Sequence, residues 1–278
     1  MIHLMDFHKE DERFRYNKLS DIYYYIVLVG CGGTGGYAVQ RIKKMLAAFQ
    51  KDSFLMIADP DIIEEKNLIR QPFIRQDISC KKAEIMAGRY GSTYGLRIGS
   101  YTDKYVESKE EIENLFSLTD YRHKSGHHIQ KVLIGAVDND FSRKVMHDYF
   151  KNTDDLIYID AGIEGVYVPE GESWSQKEKE ESSESGYSGQ VVVGMKKNGK
   201  EILAPLNSIY PIDENDLIPP SHNCGLEPYQ PQRMIANEFA AFHISTILNE
   251  LFSNHSIQIH YANFNARTGA CRPVYVEE

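Results

Sequence analysis

The residues best placed to do chemistry begin at positions 26–36, Ile-Val-Leu-Val-Gly-Cys-Gly-Gly-Thr-Gly-Gly. Gly30, Gly32, Gly33 and Gly35 stand where an apolar run ends and a helical pattern begins. A side chain there would block both a sharp turn and a close approach of backbone to phosphate. A helix N-terminus beyond the turn offers free N–H groups and a positive dipole end to an anion. Asp59 closes the next apolar run, where an acid can accept hydrogen bonds from ribose hydroxyls. NAD enzymes and ATP enzymes both place an acid there, so the glycines and Asp59 do not choose between them. Further polar residues follow: Asp61, Asn67, Arg70, Gln71, Lys82, Asp138 and Asn139. Cys224 lies two residues after His222 in a glycine- and proline-bearing stretch, which suits an exposed, activated thiol. Cys31 and Cys80 read as small fillers, and Cys271, near the C-terminus, has no nearby helper.

The elements that must position these residues alternate. Residues 23–30, 54–59, 132–137 and 156–160 are short apolar runs, as strands buried on both faces are. Helical spacing predicts helices over 37–49, 79–90 with Ser79 as N-cap, 110–116 and 143–150. Residues 97–106 read as strand and connector. This βαβ order predicts an α/β fold with a doubly wound, mostly parallel, Rossmann-like sheet. From about residue 163 the pattern changes to short strands at 165–168, 190–195 and 201–204, with a hairpin turn at Asn198-Gly199. A long helix over 234–252 and closing strands at 257–261 and 273–276 complete a C-terminal extension. Residues 169–189 are rich in Glu, Ser, Lys and Gly and read as a flexible surface loop. The expected organisation is an N-terminal segment, 1–22, and a single domain over 23–278.

With 278 residues and 42% apolar content the chain can bury one sizeable core. The net charge of -9 and the lack of a basic stripe argue against nucleic acid. No run approaches the roughly 20 apolar residues of a membrane helix, and the first ten residues lack a signal-peptide core, so a cytoplasmic location is expected. The four cysteines form no CxxC pair, so no structural zinc is expected.

The segment Asp59-Pro-Asp-Ile-Ile-Glu-Glu-Lys-Asn-Leu-Ile-Arg-Gln71 resembles the ThiF/MoeB/HesA (E1-like) family, which activates ubiquitin-like and sulfur-carrier proteins. The family pattern is acid-x-acid at a strand end, then Asn-Leu-x-Arg-Gln. Lys82 in Cys80-Lys-Lys-Ala-Glu84, Asp138-Asn139 after the next strand, and Arg143 beyond it also match. The likeness runs over about residues 24–165. The stretch from Cys224 through Gln230 to Asn237 resembles a bacterial ThiF-like subgroup of PRTRC gene clusters. The resemblance implies ATP and Mg²⁺ as cofactors, with Gly30, Gly32, Gly33, Gly35, Asp59, Asp61, Asn67, Gln71 and Asn139 in the nucleotide site. It implies that Arg70 and Lys82 stabilise phosphate charge and that Asp138 holds Mg²⁺. It also implies a carrier-protein tail as substrate, a homodimer with an N-terminal arginine (Arg13 or Arg15) acting in trans, and Cys224 as acyl or sulfur acceptor. Singly, Arg70 and Lys82 read as well as surface cations, and Asp138 as a cap for a helix starting near residue 141. Their ordered co-occurrence selects the site. Two rivals remain: a NAD(P)-dependent oxidoreductase, which leaves Asn67, Arg70, Lys82 and Asp138 unexplained, and a nucleotide-binding adaptor without turnover, which needs none of the charged set.

Overall fold

The computed structural model describes residues 1–9, 21–117, 127–171, 173–212, 217–222 and 231–277. In chain order the elements are β1 (Ile2–His3), α1 (Leu4–Lys9), β2 (Asp21–Val29), α2 (Gly33–Ala48), β3 (Ser53–Ala58), α3 (Lys82–Tyr94), β4 (Ile98–Tyr101), α4 (Lys109–Leu115), β5 (His127–Gly135) and α5 (Asp140–Asn152). They continue as β6 (Leu156–Ile163), α6 (Gln176–Glu184), β7 (Ser188–Lys197), β8 (Lys200–Leu203), α7 (Leu206–Ile209), α8 (Met234–Asn254), β9 (Ser256–Ile257), β10 (Ile259–Asn265) and β11 (Ala270–Tyr275).

One sheet runs β11-β10-β7-β6-β5-β2-β3-β4, with β8 beside β7. The strands β2 to β6 pair in parallel; β7, β8, β10 and β11 are antiparallel. The alternation of strand side chains builds two apolar layers. Tyr24, Ile26 and Leu28, with Leu55, Ile57, Val132 and Ile134, face a layer closed by Val39, Ile42 and Leu46 of α2 and Ala240, Ile244 and Leu248 of α8. Tyr25, Val27 and Val29, with Phe54, Met56 and Leu133, face Ile112 of α4 and Met146 and Phe150 of α5. Strands buried on both faces are the expected cost-free place for continuous apolar runs. The doubly wound reading therefore holds.

Several local readings are corrected. Residues 169–189 include a helix, α6, started by a capping box in which Ser175 Oγ accepts from the Glu178 N–H at 3.2 Å. It buries nothing, which is why composition pointed to a loop: Lys and Glu are good helix formers that need no core. Residues 165–168 are not a strand. Ser79 does not cap a helix; it adopts φ +71° and α3 starts at Lys82. The Asn198-Gly199 turn is present, with φ of +50° and +75°, as the mirror-image turn of a two-residue hairpin demands. Among the described residues no helix is long and apolar enough to cross a membrane.

Candidate active site

Strand β2 is flanked by β3 on one side and β5 on the other, so successive crossovers leave in opposite directions. A crevice opens at such a switch point, outside the carboxyl ends of the strands. Three loops meet there. The Gly30 N–H donates to the Ala58 carbonyl at 3.0 Å, and the Ala136 N–H to the Val29 carbonyl at 2.9 Å. Gly30 has φ +89°, and a Cβ on it would lie 2.5 Å from the Ala136 oxygen. Glycine is thus required where the loop after β2 touches the loop after β5.

The other glycines divide by task. A Cβ on Gly33 would lie 2.1 Å from Asn237 Oδ1, and one on Gly35 1.9 Å from the Gly30 carbonyl oxygen. These two allow α8 and the turn itself to close on α2. Thr34 Oγ1 donates to Asn237 Oδ1 at 3.2 Å, and Asn237 Nδ2 to the Arg233 carbonyl at 3.1 Å, so the same contact is also hydrogen-bonded. A Cβ on Gly32 would meet only Gln71 Nε2, at 3.6 Å, an ordinary contact rather than a clash. Gly32 is also the N-cap of α2, with no side-chain cap and no acid in the first turn. The helix therefore presents uncompensated N–H groups on the side where a backbone-to-phosphate approach is sterically open.

Asp59 and Asp61 are placed by the end of β3. Asp59 is buried; its oxygens accept from the Cys31 N–H at 2.6 Å and the Asp61 N–H at 2.9 Å. Burial raises the Asp59 pKa above the usual carboxylate range, opposed by the nearby Lys82 ammonium. Lys82 Nζ donates to Asp61 Oδ2 at 2.7 Å, and the Tyr105 hydroxyl donates to Asp61 Oδ1. Burial would push Asp61 up, but Lys82 and these hydrogen bonds outweigh it and hold Asp61 low. Burial likewise disfavours the Lys82 charge, and the two aspartates overcome it. The side chain of Lys82 is 8% exposed and that of Asp61 37%, so Asp61 is the open member of the pair. Lys81 points elsewhere, donating to the Pro60 carbonyl.

The 3₁₀ turn Glu65–Ile69 carries Asn67, which is buried; its Oδ1 accepts from the Glu64 N–H at 2.9 Å. Arg70 donates to Gln232 Oε1. Gln71 is buried against the glycine loop, and its Oε1 has no hydrogen-bond partner. Such an orphaned acceptor beside an open helix end is the kind of exception that calls for a donor from outside. On the β5 side Asp138 is exposed, whereas Asn139 caps α5, its Oδ1 accepting from the Ser142 N–H at 2.8 Å. The cap is therefore Asn139 and not Asp138. Arg143 turns inward, to the Val137 carbonyl at 2.9 Å, Asp140 at 3.0 Å and buried Asp160 at 3.4 Å. It borders a cavity of about 430 Å³ shared with Gly162, Glu164, Ser188, Gln190 and Asn263.

Cys224 and the N-terminal arginines Arg13 and Arg15 lie outside the described residues. Cys271 Sγ lies 4.0 Å from Nδ1 of His243, brought there by the pairing of β11 with β10 beside α8, but burial raises the Cys271 thiol pKa and lowers that of His243, so the pair is not an activated thiol. Among the described residues, no group of three or more His, Cys, Asp or Glu could hold a metal ion unaided. Mg²⁺ asks less, often one or two carboxylates plus phosphate oxygens, and Asp138 is an exposed carboxylate that could supply one. Tyr105, Gln232 and the packing role of Asn237 were not legible beforehand. Each acts across a long sequence separation with no local motif to announce it.

The sequence model of the ThiF family matches residues 3–216. No curated protein matches the chain. Among solved structures, E. coli MccB with ATP aligns at TM-score 0.58 and 14% identity, covering 91% of this chain and 64% of that one. The microcin C7 biosynthetic enzyme MccB in complex with N-formylated MccA aligns at 0.59 and 13%, covering 91% and 65%. PaaA aligns at 0.56 and 10%, covering 94% and 65%. The chain thus spans just under two thirds of the length of these structures, and the likeness is one of fold.

Proposed function

The match over residues 3–216 makes this chain a member of the ThiF family, and from that premise we propose that it is an ATP- and Mg²⁺-dependent adenylating enzyme. Its substrate is the C-terminal carboxylate of a small ubiquitin-like or sulfur-carrier protein. What supports this reading is that the open α2 N-terminus at Gly32, the Asp61–Lys82 pair and exposed Asp138 follow the carboxyl ends of the adjacent strands β2, β3 and β5. MccB, of the same fold, has been solved with ATP.

In the proposed reaction a carboxylate oxygen attacks the α-phosphorus. The bond to the β-phosphate breaks and pyrophosphate leaves, with no proton transferred. Both reactants are anionic, so the protein's work is positioning and charge stabilisation. The N–H groups at Gly32 and the α2 dipole receive phosphate oxygens. Arg70, released from Gln232, and Lys82 stabilise the departing charge. Gln71 Oε1 accepts a donor from the nucleotide. Asp59, being buried and bonded to the loop backbone, braces the glycine turn. The more open Asp61 takes the ribose side. Asp138 would hold Mg²⁺, which when bound neutralises phosphate oxygens. The cavity beside Arg143 admits the carrier's tail, and Cys224 is the proposed acceptor of the activated acyl group.

ATP–pyrophosphate exchange with a candidate carrier tests this. Exchange should fall at least a hundredfold in Arg70→Ala and in Asp138→Ala, the size typical of removing one charge-stabilising group. Exchange that survives both substitutions would sink the assignment.

A further inference from the structure

Helix α6 has nine residues and buries nothing, so it is too short to persist in water by propensity alone. Its two ends hold it instead. The N-terminus has the Ser175–Glu178 capping box. The C-terminus is gripped by one distant residue. Arg233 Nε donates to the Ser185 carbonyl at 2.8 Å, and its Nη2 to the Ser182 carbonyl at 2.9 Å and the Ser183 carbonyl at 3.2 Å. Its guanidinium carbon lies 4.2 Å from the centre of the Tyr187 ring. The flat, forked group meets three carbonyls and an aromatic face at once, a geometry that suits arginine and not the point charge of lysine.

The same residue begins α8. Among the described residues that helix starts with no side-chain cap, and its first turn carries no acid. Met234 and Ile235 are exposed there. A helix start of this kind frays unless something else ties it. Yet this end of α8 serves the crevice. The Arg233 carbonyl accepts from Asn237 Nδ2 at 3.1 Å, and Asn237 Oδ1 accepts from Thr34 Oγ1 at 3.2 Å, in the first turn of α2. Beside it, Gln232 accepts from Arg70, and the Pro231 carbonyl accepts from the Val166 N–H at 2.8 Å. Residues 231–237 therefore touch both the open N-terminus of α2 and Arg70, and the Arg233 side chain is what fastens them to α6 and Tyr187.

We propose that Arg233 is a positioning residue that locks the first turn of α8 and, through Asn237 and Thr34, holds the N-terminal turn of α2 in place to receive phosphate. This rests on the Mg·ATP reading above. Arg233 touches no reacting atom; it acts through the turn it steadies.

The test uses the full chain, titration with Mg·ATP, and hydrogen exchange read by mass spectrometry without ligand. Arg233→Ala should weaken Mg·ATP about tenfold and speed exchange at residues 33–38 about fivefold. Arg233→Lys, which keeps the charge but loses the fork, should weaken binding about threefold. Asn237→Ala should match Arg233→Ala, and the double variant should bind within about twofold of the weaker single, because both act along one path. Arg267→Ala is the control. Arg267 lies 5.6 Å from the same Tyr187 ring and 3.6 Å from Glu184 but does not begin α8, so affinity should stay within about twofold of the parent. A residue that only supports α6 would speed exchange over 176–188 and leave residues 33–38 and the affinity alone. That result in Arg233→Ala would overturn the proposal. A parent chain that binds no Mg·ATP would overturn the adenylation reading alone, because ligand-free exchange at residues 33–38 still decides whether Arg233 holds the turn.

Discussion

Two sides of the same crevice are built in opposite ways. On the β3 side, Asp59, Asp61, Lys82 and Tyr105 form an interlocked group, with three of the four side chains spoken for by one another. On the β5 side, Asp138 stands exposed, and the neighbouring Asn139 does the structural work of capping α5. Charges that must be buried to face a ligand have to be paired first, or their desolvation would exceed the gain from folding. A carboxylate meant for a hydrated ion can wait in water. The difference teaches that one side couples fold to function while the other does not, and substitutions can separate the two.

The largest effect should come from Lys82→Ala. It strands Asp59 and Asp61 together without their cation, and discounting for the partial exposure of Asp61 the cost is on the order of 2–4 kcal/mol. Chemical denaturation should show that loss, together with abolished nucleotide binding. Asp138→Ala should be the mirror image: binding of Mg·ATP and exchange fall about a hundredfold or more while the denaturation midpoint does not move. If Asp138→Ala destabilised the fold as Lys82→Ala does, the contrast would be wrong. Gly33→Ala comes next. A methyl 2.1 Å from Asn237 Oδ1 must displace the Asn237 amide and break its hydrogen bond from Thr34, for about 1–3 kcal/mol. Asn237→Gly in the same chain should recover part of it.

The pH effects are of a different kind. Burial lowers the pKa of Lys43, whose Nζ donates to the Arg97 carbonyl at 2.9 Å, to about 7. The folded value lies below the unfolded value of 10.5. Between the two the unfolded chain binds more protons, so stability rises with pH across that window. Lys43→Met should flatten that rise, as read by melting temperature from pH 7 to 10. Asp59 has the opposite sign of concern: its raised pKa means that acidification protonates it early. Protonation would weaken its grip on the Cys31 and Asp61 N–H groups, so nucleotide affinity should fall at mildly acid pH before the fold is lost.

The parallel half was open to reading because both of its faces are buried. Runs such as Tyr24 to Val29 have no choice but to be apolar throughout, and glycines must stand where loops meet at Gly30. The family pattern assigned Asp61 and Lys82 to the nucleotide site; that they are paired with one another comes from the structure alone. What stayed hidden was set by distant partners. That Asp59 spends its oxygens on backbone N–H groups, that Asn139 rather than Asp138 is the cap, and that His243 stands by Cys271 all depend on packing that no spacing rule encodes. Helix α6 escaped for a different reason: a helix that buries nothing leaves no periodic apolar signature.

The central claim is that the open glycine loop serves Mg·ATP and not a redox dinucleotide. Isothermal titration of the full chain with Mg·ATP and, separately, with NAD⁺ tests it most directly. The account predicts saturable binding of Mg·ATP that weakens about a hundredfold in Asp138→Ala, and no binding of NAD⁺. Binding of NAD⁺ with none of Mg·ATP would contradict it.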